Sequence, residues 1–231
     1  MAERADPLDG PMAPEVIAFD VIGTLFSMAA LEPLMVSAGG DASTVQLWFS
    51  RLMADGCALT AAKEYEPFRE VAKASLRDVL PKAKAAARDK VLAGLAKLDE
   101  FPDSAAAMGR VVMSARVIVI SNASAESTKK LLARGRLDAF VDSVVTAEDV
   151  QQWKPGSDPY AFAADAQGVP LERMAIVSAH PWDVLGGRRA GLVTGWCNRT
   201  GGVFPASFGR PDVTGPNLLE VVERLLVLRG G

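Results

Sequence analysis

The run VIAFDVIGTLF, Val16–Phe26, is an apolar stretch interrupted by the carboxylate of Asp20 and turned at once through Gly23-Thr24. A carboxylate at the tip of a buried strand can serve as a nucleophile when a neighbouring cation keeps it ionised. Lys154, in WKPGSDPY, is the cation suited to that task. Two more apolar runs end in polar groups. RVIVISN ends at Ser121-Asn122, and MAIVSA ends near Ser178, with His180 and Asp183 just beyond. Asp183 has the chemistry to activate a water that would open an ester formed on Asp20. The backbone N–H groups of the Gly23-Thr24 turn are expected to hold an anion beside Asp20.

These groups must be brought together by a sheet. Glu15–Val21, Arg116–Asn122, Met174–Ala179, Asp142–Ala147 and Leu192–Cys197 read as strands, the last of these closing the set. Helical spacing over Ala125–Ala133, Asp158–Gln167 and Trp182–Ala190 separates them. Strands alternating with helices predict an α/β fold, with a Rossmann-like parallel sheet covered on both faces. Ligands of such sheets bind beyond the carboxyl ends of the strands, where all the residues above fall. Between residues 28 and 98 no good strand is found. TVQLWFSRLMADG, KEYEPFREVAKASLRDVL and KAKAAARDKVLAGLAKLD are helical in pattern, punctuated by Pro33, Pro67 and Pro81. The expected organisation is a flexible tail at 1–14, a core domain at 15–27 and 99–231, and an inserted helical cap domain at 28–98.

Composition narrows the function classes. The 231 residues are 49% apolar and carry a net charge of −3, with lysines and arginines scattered. Nothing points to a nucleic-acid partner or a membrane. The acidic, proline-rich start lacks the apolar core of a signal peptide, and the chain is expected to be soluble and cytoplasmic. With two cysteines and one histidine, a zinc site built from soft ligands is not expected.

In AFDVIGTLF (Ala18–Phe26), ISNAS (Ile120–Ser124), WKPGSDPYAFA (Trp153–Ala163), VSAHPWDVLGGRRAGL (Val177–Leu192) and WCNRTGGVF (Trp196–Phe204), the chain resembles the haloacid dehalogenase superfamily. Within it, the type II 2-haloacid dehalogenases are the most similar. The resemblance implies that Asp20 attacks the halogen-bearing carbon, Lys154 and Thr24 stabilise it, and Asp183 positions the hydrolytic water. It implies that Ser121 and Asn122 bind substrate, that Ser178 organises the pocket, and that Trp182 and Tyr160 line it. The substrate would be a small carboxylic acid, no cofactor would be needed, and the protein would form a homodimer.

The departures from the family pattern carry information. Superfamily phosphatases have a second aspartate two residues after the nucleophile, which protonates the leaving alcohol, and they need Mg²⁺. Here that position is Ile22, and an acid of the fourth motif is replaced by Ala179. A halide needs no proton to leave, so the loss of the acid at Ile22 suits carbon–halogen cleavage. Dehalogenases of this type also read LWR in the first cap helix, where the arginine meets the departing halide. This chain reads LWF and places Phe49 there. Arg51, two residues on, lies about 200° around a helix, on the opposite face. Where the family has Asn, this chain has His180, which could supply the lost cation when protonated, bond a substrate carboxylate, or be structural. Two rivals stand beside the dehalogenase reading: a Mg²⁺-dependent phosphatase of the same superfamily, and a catalytically silent binding homologue.

Overall fold

The computed structural model describes residues 10–229. Eight strands are found there: β1 (Val16–Phe19), β2 (Phe26–Ser27), β3 (Asp99–Glu100), β4 (Arg116–Ser121), β5 (Ser143–Thr146), β6 (Met174–Ser178), β7 (Val193–Cys197) and β8 (Val213–Gly215). Helices α1 (Glu32–Ser37), α2 (Thr44–Ala62), α3 (Phe68–Val79) and α4 (Ala85–Gly94) fill the segment between β2 and β3. The remaining helices are α5 (Ser104–Val111), α6 (Ala125–Arg134), α7 (Ala147–Val150), α8 (Asp158–Gln167), α9 (Pro181–Ala190) and α10 (Leu218–Leu225). Residues 1–9 of the expected tail lie outside the described residues. Near its end, the Ala13 amide donates to the Leu228 carbonyl at 3.0 Å.

The main sheet has six strands in the order β5–β4–β1–β6–β7–β8, all paired in parallel. β1 lies between β4 and β6 in register, Phe19 opposite both Val119 and Val177. The chain leaves β1 for one half of the sheet and later returns beside it for the other half. The loops after β1, β4, β5 and β6 therefore meet at the point where the strand order reverses, as ligand-binding crevices of open α/β sheets require.

Alternation along β1 explains the two-sided core. Ile17 and Phe19 join one cluster with residues of α5 and α10, while Val16 and Ala18 join a second with Tyr160, Ala163 and Ala164 of α8. The first cluster continues into Trp48, Leu52, Leu76 and Val91 of the helices between β2 and β3. Trp153 fastens the same helices to the sheet. It stacks on Phe68 with centroids 5.6 Å apart, donates to the Glu66 carbonyl at 2.9 Å, and lies against Gly56, where an added Cβ would come within 2.4 Å of the indole.

Three features depart from the sequence expectation. The sheet does not close at Cys197: β8 adds one more strand. Its three residues are too few to display a period. Phe26–Ser27 and Asp99–Glu100 pair antiparallel in a small separate sheet where the chain leaves and re-enters the core. Helices α5 and α10 were not foreseen, although the Leu218, Val221, Val222 and Leu225 spacing of α10 is that of an amphipathic helix.

Candidate active site

The backbone after β1 turns sharply. The Gly23 amide donates to the Phe26 carbonyl at 2.7 Å, and the Thr24, Leu25 and Phe26 amides all point to the Val21 carbonyl. The turn therefore uses the Gly23 and Thr24 N–H groups internally, contrary to the expectation that they hold an anion. Its product is the position of a hydroxyl. Thr24 Oγ1 accepts from the Ala179 amide at 2.9 Å, so its hydrogen is directed to Asp20 Oδ2, 2.7 Å away. Gly23 has φ +85°, and a Cβ there would lie 2.6 Å from His180 Nε2, so glycine is needed for both conformation and space.

Lys154 arrives in the loop after α7 with no exposed surface. Its ammonium donates to Asp20 Oδ1 at 2.9 Å and to Asp183 Oδ2 at 2.8 Å, bridging the two carboxylates. Burial alone would raise the Asp20 pKa. The charges of Lys154 and His180, with hydrogen bonds from Lys154 and Thr24, outweigh it and hold the carboxyl below its ordinary value. For Lys154, burial favours the neutral amine, but Asp183 and Asp20 overcome it and raise the pKa. Asp20 is thus kept as an anion in a nearly dry place, the condition an attacking carboxylate needs.

Asn122 holds this lysine through its backbone. Its Oδ1 accepts from Lys154 N at 2.8 Å and its Nδ2 donates to Lys154 O at 3.3 Å. The Oδ1 and one Nδ2 hydrogen of the amide expected to meet substrate are spent on this clamp. Ser121 Oγ accepts from the Ala123 amide at 3.1 Å and keeps its own hydrogen for another acceptor. Ser178 Oγ accepts likewise from the His180 amide at 3.1 Å. Tyr160 is fully buried behind the site, and its hydroxyl donates to Asp183 Oδ1 at 2.5 Å, with its pKa pushed well above 10.0 by burial and by Asp183. It orients the second carboxylate from below, whereas the resemblance implies a pocket-lining role.

The opposite wall is aromatic. His180 precedes α9, with its ring between Phe49, at a centroid distance of 5.2 Å, and Trp182, stacked at 5.1 Å. His180 Nε2 lies 2.8 Å from the Ile22 carbonyl and 3.6 Å from Asp20 Oδ2. The carbonyl can only accept, so this nitrogen carries a hydrogen. Lys154 Nζ sits 5.8 Å from the Trp182 ring centroid. Phe49 of α2 is therefore at the site, while Arg51 is not: it pairs with Asp55 and Asp78 on an exposed helix face.

The haloacid dehalogenase-like hydrolase family model matches residues 14–191. The chain belongs to the haloacid dehalogenase-like hydrolases. An (S)-2-haloacid dehalogenase from Pseudomonas sp. (strain YL) is 28% identical over 217 residues, which cover 90% of this chain and 92% of that one. A solved dehalogenase structure with an intermediate complex superposes with a TM-score of 0.86 at 24% identity, over 94% of this chain and 99% of the other. An L-2-haloacid dehalogenase from Xanthobacter autotrophicus, solved with chloropropionic acid covalently bound, gives a TM-score of 0.81 at 18% identity, covering 93% of this chain and 99% of that chain. At such identities the structural likeness speaks for the fold.

Magnesium, which the phosphatases of this superfamily need, does not fit this hydrolase's residues. The Lys154 ammonium already stands between Asp20 and Asp183, and Ala179 has no oxygen side chain to complete a hard-cation shell. Among the described residues no group of three or more His, Cys, Asp or Glu is placed to hold a metal ion.

One residue of the hydrolase's site was missed in the sequence. Arg199, in the loop after β7, donates to the Thr24 carbonyl from Nη2 at 2.8 Å and from Nε at 3.2 Å. It also pairs with Asp103 at 3.0 Å and lies 3.7 Å over the Phe101 ring. Its only signal was membership of WCNRTGGVF, since nothing local ties it to the first strand.

Proposed function

We propose that this hydrolase displaces halide from C2 of a 2-haloalkanoic acid through an ester on Asp20, without a metal. The observation that carries the reading is the Lys154 ammonium held between Asp20 and Asp183 at 2.9 and 2.8 Å, with Ile22 where a proton donor would stand. A carboxylate oxygen of Asp20 attacks C2. The new C–O bond forms as the carbon–halogen bond breaks, and the halide leaves with the electron pair. Configuration at C2 inverts, because displacement occurs once at that carbon. Lys154 and Thr24 orient the carboxylate throughout. The substrate carboxylate is received at the Ser121 hydroxyl, ahead of the positive end of α6.

In the second half, Asp183 takes a proton from water as the water oxygen attacks the Asp20 ester carbonyl. The tetrahedral adduct collapses as Asp183 returns its proton to the departing alkoxide oxygen, which releases the 2-hydroxy acid; Asp20 keeps the water oxygen and loses the remaining proton to solvent. The sum is one water consumed, with halide and one proton released. Tyr160 and Lys154 fix Asp183 for this step. The helices between β2 and β3 act as a cap, with the buried Phe49 of α2 against His180 and the buried Trp48 tying α2 to α3 through Ala72 and Ser75.

The decisive experiment is a single turnover of L-2-chloropropionate in ¹⁸O-labelled water, followed by mass spectrometry of the peptide containing Asp20. One labelled oxygen in that peptide, together with chloride release, supports the ester route. Chloride released without label in Asp20 eliminates it, and absence of any chloride eliminates the dehalogenase reading.

The reading includes a cytoplasmic homodimer. Cys57 and Cys197 are free thiols, as fits a reducing compartment. Among the described residues no helix is long and apolar enough to cross a membrane. Sedimentation of the purified protein reports on the dimer.

A further inference from the structure

A cleft of about 570 Å³ opens beside the proposed site, between α3, α4 and α6. Its inner end is formed by Val21 and Ile22, the two residues that follow Asp20, and by Ser121. Phe49, His180 and Trp182 do not line it, so it leads away from the aromatic wall. Beyond the inner end its surface is mainly hydrocarbon, from Phe68 and Ala72 of α3, Leu92 of α4, Leu95 and Leu131. The outer rim carries Glu70, Asp89, Glu126, Glu148 and Arg69, and Glu70 and Asp89 are shared with an adjoining cleft lined by Lys73, Arg77 and Arg88. Glu126 spends its charge on Lys130 at the surface.

A three-carbon haloacid bound at Ser121 and Asp20 would leave this volume to water. Clefts of roughly 300–1,000 Å³ with apolar walls bury ligands far larger than that. Hydrocarbon walls that begin at Val21 and Ile22, the residues after Asp20, have one chemical counterpart on the substrate, the chain attached to C2. The walls also decide what the far end of that chain carries. A second carboxylate would lose its hydration against the apolar side chains, a cost that an uncharged methyl end does not carry.

We infer that the cleft receives the alkyl chain of a medium-length 2-halo monocarboxylic acid, so that this enzyme prefers a substrate of the 2-halooctanoate type to a 2-halopropionate. The inference rests on the function proposed above and names the substrate class of that same site. Ile22 then has a second use: it is the apolar surface on which the first methylenes of the chain lie.

The test compares kcat/KM for 2-bromopropionate, 2-bromooctanoate and 2-bromooctanedioate, with bromide release as the signal. Each methylene taken from water is worth roughly fourfold, and partial burial of the five added carbons predicts a preference of roughly tenfold or more for 2-bromooctanoate over 2-bromopropionate. The dioate falls back toward the short acid. Leu92→Trp and, at an exposed position of the same wall, Ala96→Trp fill the cleft and collapse the ratio toward one. A wild-type ratio at or below one overturns the inference.

Binding of octanoate and propionate, measured calorimetrically on the unmodified protein, separates the two levels. Tighter octanoate binding that Ala96→Trp abolishes, without bromide release from any bromoacid, leaves the cleft assignment standing and removes the dehalogenase reading. Equal binding of the two acids overturns the cleft assignment whatever the chemistry.

Discussion

The Phe49 ring faces the His180 ring at 5.2 Å, tilted by 31°, where a guanidinium would meet the leaving group in the dehalogenases this chain resembles. The Nε2 hydrogen of His180 is taken by the Ile22 carbonyl, so the wall turns ring edges and faces to the place where a guanidinium would point. Phe49→Arg combined with His180→Asn restores a directed donor without crowding Gly23. The double variant is expected to release chloride from 2-chloropropionate roughly tenfold faster than the wild type, a part of the roughly hundredfold or more that one preorganised donor at a developing anion is worth. Unchanged or slower chloride release would show that this wall does not handle the leaving group.

Lys154 separates two buried carboxylates, and its loss leaves them facing each other unneutralised. Lys154→Met is expected to destabilise the fold by about 3–5 kcal/mol, as breaking a buried ion pair from one side does. Chemical denaturation at neutral pH measures this. The loss should shrink as the pH is lowered, because a proton can then take the place of the missing ammonium between the two carboxylates. A neutral-pH loss below about 1 kcal/mol would mean that the ammonium is not the partner the geometry indicates.

Stability should depend on pH through the same groups. Asp20 has a folded pKa below its unfolded value of 3.8, so its contribution is complete above that value and is lost as pH falls through the folded pKa. Lys154 has a folded pKa above its unfolded value of 10.5, so its contribution is complete below 10.5 and is lost as pH rises through the folded pKa. The denaturation midpoint of the wild type is expected to be flat with respect to these two groups across neutral pH, falling below pH 3.8 and again above pH 10.5. Asp20→Asn should flatten the acid limb, and an acid limb equally steep in that variant would exclude Asp20 as its source.

Arg199 acts on Asp20 through Thr24. It pins the Thr24 carbonyl, and the Thr24 hydroxyl in turn orients the Asp20 carboxylate. Arg199→Ala is expected to lower kcat roughly tenfold with little change in KM, on the scale of about 1.5 kcal/mol for a lost charge-assisted hydrogen bond. Arg199→Lys keeps the charge but not the two-pronged geometry and should recover only part of the loss. Equal falls in kcat for both variants with matching losses of thermal stability would mark Arg199 as a general structural residue.

In the proposed mechanism Asp183→Asn removes the proton acceptor of the second half-reaction while leaving Asp20 and Lys154 in the sequence. Reaction with 2-chloropropionate is then expected to stop at the ester. Mass spectrometry of the digested protein should find the added propionate on the peptide containing Asp20. Full turnover at the wild-type rate would assign the water to another group.

Much of this protein is legible in its sequence because the signals are local. A buried parallel strand must be continuously apolar, so Val16–Phe19, Arg116–Ser121 and Met174–Ser178 announce themselves, and the polar groups at their ends follow. The replacement of a proton donor by Ile22 is likewise visible without coordinates. What the tertiary structure alone decided is how those ends meet. Lys154 reaches Asp20 across 134 residues and Asp183 across 29, distances over which no periodicity carries information. The register of β1 against β4 and β6 sets which side chains converge, and that register is a property of the packed sheet. The same holds for the Asn122 clamp, the Tyr160 hydroxyl on Asp183 and the Arg199 fork on Thr24. Each is a directional bond between distant segments, whereas the sequence pattern encodes burial, which has no direction.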